Sequence, residues 1–171
     1  MSTSVASQAT GSETSSDLVW YWTVLGPGRA SGAVSTGSPW GIPFGPHRLI
    51  FEEPIPEYAR STLMEIGWLG ELEEDWDSYG ARPIEPRCAL TAAQLILGLL
   101  GSDDPEPAVV PTTAGGIQFE WHRRGASLEI EVAALARVNV FFEDHALDDH
   151  QEFVLTGDPA PLVSLLERLG Q

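Results

Sequence analysis

The stretch "GGIQFEWHRRGASLEIEVAALARVNVFF", residues 115 to 142, decides the fold. Ile117, Phe119 and Trp121 alternate with Gln118, Glu120 and His122, and Leu128, Ile130 and Val132 alternate with Ser127, Glu129 and Glu131. Val138, Val140 and Phe142 then alternate with Arg137 and Asn139. A period of two places all the apolar members on one face of a pleated strand. The segment is therefore expected to run back and forth as an antiparallel meander with one buried and one solvated face. Keeping the apolar set on one side restricts the register. The tightest hairpin across "RRGA" pairs Arg123 with Ala126, which sets Trp121 opposite Leu128 and Phe119 opposite Ile130. On the polar face it sets Glu120 opposite Glu129 and Gln118 opposite Glu131.

Helical spacing brackets the meander. Cys88, Ala89, Ala92, Leu95, Ile96 and Leu99 form a stripe that begins after Pro86 and stops at Gly101, as first-turn proline and terminal glycine allow. Upstream, Leu63, Ile66, Leu69, Leu72 and Trp76 predict a helix from Pro56 to about Asp77. Gly67 and Gly70 weaken that helix by about 1 kcal/mol each relative to alanine. Gly80 suits a left-handed turn beyond it, and Pro83 blocks continuation. "AVVPTT" reads as an edge strand because its proline lacks a donor. "EFVLT" reads as a last strand, followed by a helix with Asp158 as cap and Leu162, Leu165, Leu166 and Leu169 as its stripe. The expected fold class is α+β: two helices, an antiparallel meander of three to four strands, and a C-terminal helix. An N-terminal aromatic arm or hairpin precedes them.

That arm spans residues 17 to 55, after a Ser/Thr/Ala-rich tail (1 to 16) and before the domain proper (56 to 171). "DLVWYWTVL" and "HRLIFEE" are strand-like, and Gly26 to Pro46 reads as a long loop between them. Structureless loops of that length usually have a purpose. Trp20, Trp22, Trp40 and Phe44 are therefore candidate partner-binding residues, with a cover layer on the chain's own domain as the alternative.

Of 171 residues, 25 are acidic and 9 basic, for a net charge of -16 with no lysine. This balance disfavours nucleic-acid phosphates and anionic membranes, and favours a basic, Arg/Lys-rich protein partner. The N-terminal residues have no basic segment followed by an apolar one, and no apolar run suffices for a spanning helix. A cytoplasmic location is expected. Cys88 is alone, which excludes an internal disulfide, and its place on an apolar stripe makes it a packed thiol.

"WDSYGARPI", the following helix, a proline-bounded strand and "GGIQFEWHRRGASLEIEV" resemble a family of small bacterial proteins carrying W-D-G/S-Y-G-A-x-P-I and G-G-I-x-x-E-W…L-x-I-E-I. The resemblance covers residues 66 to 132. It implies a shared fold and a shared surface, and it implies no activity.

Three groupings carry possible chemistry. Glu120 opposite Glu129, with Glu131 beside them, makes either a solvated face, neutralised by Arg82, Arg87 or Arg137, or a receptor for a cation. In "EDHALDDH" (143 to 150) carboxylates and histidines crowd together, but the spacing matches no established metal site and an Asp-rich turn suffices. Asp75, Trp76, Asp77 and Tyr79 read as a corner: Trp76 in the core, Asp77 accepting from backbone amides, Tyr79 packing across the turn. No nucleophile elbow, Walker loop or zincin motif occurs, so no catalytic residue, metal ligand or cofactor is assigned. The sequence favours a non-enzymatic protein-binding module, an adaptor or an antitoxin- or immunity-like inhibitor, with Glu120, Glu129 and Glu131 in its interface. A carboxylate- or metal-dependent hydrolase on the same face, aided by His122, is the alternative. Mimicry of nucleic-acid charge is another. Oligomeric state stays open.

Overall fold

The computed structural model describes residues 19–21, 40–51 and 53–170. The period-two segment folds as a five-stranded antiparallel sheet in the order β4-β5-β6-β7-β8. Its strands are β4 (Ala108–Pro111), β5 (Ile117–Arg123), β6 (Ala126–Ala133), β7 (Arg137–Asp144) and β8 (Asp149–Leu155). The expected register holds: Arg123↔Ala126, Trp121↔Leu128, Phe119↔Ile130, Glu120↔Glu129 and Gln118↔Glu131 are directly opposite. Edge strands at both ends bring the meander to five.

Every apolar member of β5, β6 and β7 named above is buried on one face. Helices cover that face because their own stripes have nowhere else to go. They are α1 (Glu57–Leu69), α2 (Pro86–Leu99) and α3 (Ala160–Gly170). Both α2 and α3 pack on β5 and β6, and α1 packs beside α2. At the edge of this layer Arg168 of α3 lies 4.4 Å from the Phe142 ring. It donates to Asp149 at 2.7 Å and Asp144 at 3.3 Å, which ties α3 to the β7–β8 end. No helix among the described residues is long and apolar enough to cross a membrane.

The N-terminal part contains a hairpin, placed elsewhere than expected, and follows the alternative of a cover layer on the chain's own domain. Within the presumed loop, β2 (Gly41–Phe44) turns at Gly45-Pro46 into β3 (His47–Ile50). Gly45 has φ +52, the left-handed conformation this turn needs. The third strand, β1 (Val19–Tyr21), pairs with β3 in parallel, so the two aromatic segments do not form a hairpin with each other. The apolar alternation Ile42, Phe44, Leu49, Phe51 drives the β2–β3 hairpin onto the domain, and these residues join the same core as the helices.

The first helix ends at Leu69 rather than near Asp77, with Gly70 as cap. The cause is the hairpin. A Cβ on Gly67 would meet Ile42 Cγ2 and the Pro43 carbonyl oxygen, each at 2.6 Å, and one on Gly70 would meet the Gly45 nitrogen at 2.6 Å. The glycines that weaken the helix are the ones that let the hairpin backbone touch it. Beyond Gly70 the chain continues irregularly, with Asp75 and Ser78 both at φ 64.

Candidate functional site

The face of the sheet opposite the helices carries the alternate, polar residues. Its residues in β5 to β8 are half-buried to exposed. Register arranges them in rows. One row reads Glu120, Glu129, Phe141, Glu152 across β5 to β8. The next reads Gln118, Glu131, Asn139, Val154, and a third His122, Ser127, Glu143, His150. Glu120, Glu129, Glu131 and Phe141 are half-buried, and Glu152 is exposed.

Directly opposed carboxylates repel, and here the Gln118 side-chain amide bridges Glu120 and Glu129 while Asn139 bonds Glu131. The Gln118 Nε2 donates to Glu120 Oε1 at 2.8 Å and to Glu129 Oε2 at 3.1 Å. Asn139 Nδ2 donates to Glu131 Oε2 at 2.8 Å. These bonds orient the carboxylates without cancelling their charge. Of the arginines expected to neutralise the face, only Arg137 lines it, and it makes no ion pair among the described residues. Gln118, Glu129, Glu131, Arg137, Asn139 and Glu152 border a depression of about 320 Å³ that Phe141 also lines. The His150 ring meets Phe141 edge-on at 5.0 Å. The lining of the depression sets three carboxylates and an aromatic ring against one guanidinium, a chemistry that suits a cation.

One contact on this face was not foreseen. Ser127 Oγ lies 3.0 Å from His122 Nδ1, while His122 Nε2 is 3.5 Å from Glu120 Oε2. The hairpin register alone would have revealed it, since Ser127 stands directly opposite His122.

The other candidates fall elsewhere. Phe44 is 3% exposed in the domain's own core, so it offers no partner surface, and Trp40 is partly buried against that core. Trp20 is placed only by its backbone in β1, and Trp22 lies outside the described residues. At the corner, Asp77 Oδ1 accepts from the Tyr79 and Ala81 amides at 2.8 and 3.0 Å, and Asp75 Oδ1 from Gly80 at 2.7 Å. Trp76 is half-buried and donates to the Arg82 carbonyl at 3.0 Å. Tyr79 does not pack across the turn: it is 93% exposed. In the acidic turn, Asp144 Oδ1 caps the Ala146 and Leu147 amides, and His145 lies 3.5 Å from Glu143. Among the described residues no three His, Cys, Asp or Glu side chains converge to hold a metal. Cys88 is fully buried, with burial first and the Glu85 charge second raising its thiol pKa.

No protein-family model, curated protein or solved structure matches this chain.

Proposed function

We propose that the chain is a cytoplasmic, non-enzymatic binding module whose outer sheet face receives a basic, Arg/Lys-rich protein, as an adaptor or an antitoxin- or immunity-like inhibitor would. The observation that carries this reading is the row Glu120, Glu129, Phe141, Glu152 on the polar face of the sheet. Keeping Glu opposite Glu costs the isolated sheet about 0.2–1 kcal/mol, and a cation supplied by a partner removes that cost. The net charge of -16 steers such a partner over a longer range.

The test is affinity capture from the source cell with the wild-type chain and with a Glu120→Gln/Glu129→Gln/Glu131→Gln variant. A basic protein retained by the wild type, released by salt and lost with the variant supports the reading. Equal retention by both chains refutes it.

A hydrolytic reading has the Ser127–His122–Glu120 alignment in its favour. Against it, His122 is 57% exposed by side chain and stands 3.5 Å from Glu120, beyond a good hydrogen bond. Both β5 and β6 have neighbours on each side, so their amides are used in ladders rather than aimed at an oxyanion. Hydrolysis of p-nitrophenyl acetate that falls on Ser127→Ala would favour the enzyme; equal rates favour the binding module.

A further inference from the structure

The two edges of the large sheet are built differently. At one edge β4 is four residues long and ends in Pro111, features that blunt pairing. At the other, β8 runs seven residues as Asp-His-Gln-Glu-Phe-Val-Leu, with neither proline nor a basic gatekeeper. Its pairing with β7 is unbroken from Val138↔Leu155 to Asp144↔Asp149. Among the described residues nothing pairs with its outer side. Alternate residues of such a strand turn their N–H and C=O groups outward, ready for another strand.

The two flanks of this edge differ in chemistry. On the helix side, Leu155 borders an open groove of about 320 Å³ whose other wall is Thr91, Gln94, Leu95 and Gly98 of α2. On the outer side Glu152 stands between His150 and Val154, with Glu129 beyond Phe141. A strand laid along β8 sends alternate side chains to these two flanks. A second copy of β8 fits poorly, since it would bring its own Asp149 and Glu152 and a further charge of -16.

We infer that β8 is a strand-addition edge for an extended segment of the partner, with apolar side chains toward the α2 groove alternating with arginine or lysine toward Glu152. The inference rests on the acidic-face reading and adds the mode of docking. Backbone pairing supplies affinity, and the two flanks select the sequence.

Fluorescence anisotropy with two labelled heptapeptides of identical composition tests it. One alternates as Arg-Val-Arg-Leu-Arg-Val-Arg, and the other gathers the same residues into an Arg block and an apolar block. The alternating peptide is expected to bind at least about tenfold tighter, the worth of one or two net backbone hydrogen bonds. Gly98→Leu is expected to abolish that preference by filling the groove. The new side chain starts into open space, because a Cβ at Gly98 meets nothing within 4 Å. Equal binding of both peptides, lost in the triple Glu→Gln variant, overturns strand addition and leaves the acidic face standing. Binding of neither overturns both readings. Self-association in sedimentation velocity that Gly98→Leu breaks would assign the edge to a second copy and overturn the inference.

Discussion

Gly67→Ala and Gly98→Ala make one chemical change in two helices, and their effects on stability are expected to have opposite signs. Helix propensity alone favours alanine at both sites by about 1 kcal/mol. At Gly98 nothing lies within 4 Å of the new methyl, so no clash opposes that gain. At Gly67 the methyl meets the Pro43 carbonyl oxygen and the Ile42 side chain, both at 2.6 Å. The oxygen belongs to backbone and cannot rotate away, so the gap must widen to the 3.4 Å of ordinary contact. Overpacking of this kind costs about 1–3 kcal/mol, so Gly67→Ala nets a loss of about 0–2 kcal/mol. The variants should therefore differ by about 1–3 kcal/mol in urea unfolding. Hydrogen exchange is expected to locate the Gly67→Ala loss in β2 and β3, which part from α1 and expose Ile42 and Phe44. Equal stabilisation by both substitutions would refute the helix–hairpin contact and return the aromatic segment to candidacy as a free arm.

Three further outcomes follow from named contacts. Glu129→Gln keeps the bond from Gln118 but removes the charge opposite Glu120; it should stabilise the isolated protein by about 0.2–1 kcal/mol in urea melts. That gain should shrink with added salt, and a loss of stability would contradict the like-charge reading. The Arg168 hydrogen bond, followed by that from Gln151, holds Asp149 below the usual carboxylate pKa. A depressed folded pKa gives stability that is present above the unfolded value of about 3.9 and lost as pH falls through the folded one. Arg168→Met, which still covers Phe142, is expected to flatten the loss of stability below about pH 4; an unchanged pH profile would show that the clamp is not linked to folding. Finally, Cys88 is fully buried with its Sγ 3.2 Å from the Ala133 carbonyl oxygen. Its reaction with a thiol reagent should proceed only as fast as the chain unfolds, and rapid labelling of native protein would refute that burial.

The resolution of the corner shows how local and distant causes divide. Asp77 was legible as an amide acceptor because Asx turns depend on neighbours two to four residues away. The exposure of Tyr79 was not legible, since it depends on what else comes near. Likewise the groove beside β8 brings Leu155 to Thr91, Leu95 and Gly98 of α2, elements far apart in the chain.

By itself the sequence determined the meander, its register and the carboxylates that share its polar face, because alternation along a strand is a property of each residue and its neighbours. Tertiary structure alone decided where the first helix stops and what its glycines are for. Gly67 and Gly70 look like weaknesses in isolation; they become contacts only when Pro43, Phe44 and Gly45 arrive against them. Space for a side chain is a property of the assembled fold, and no local pattern encodes it.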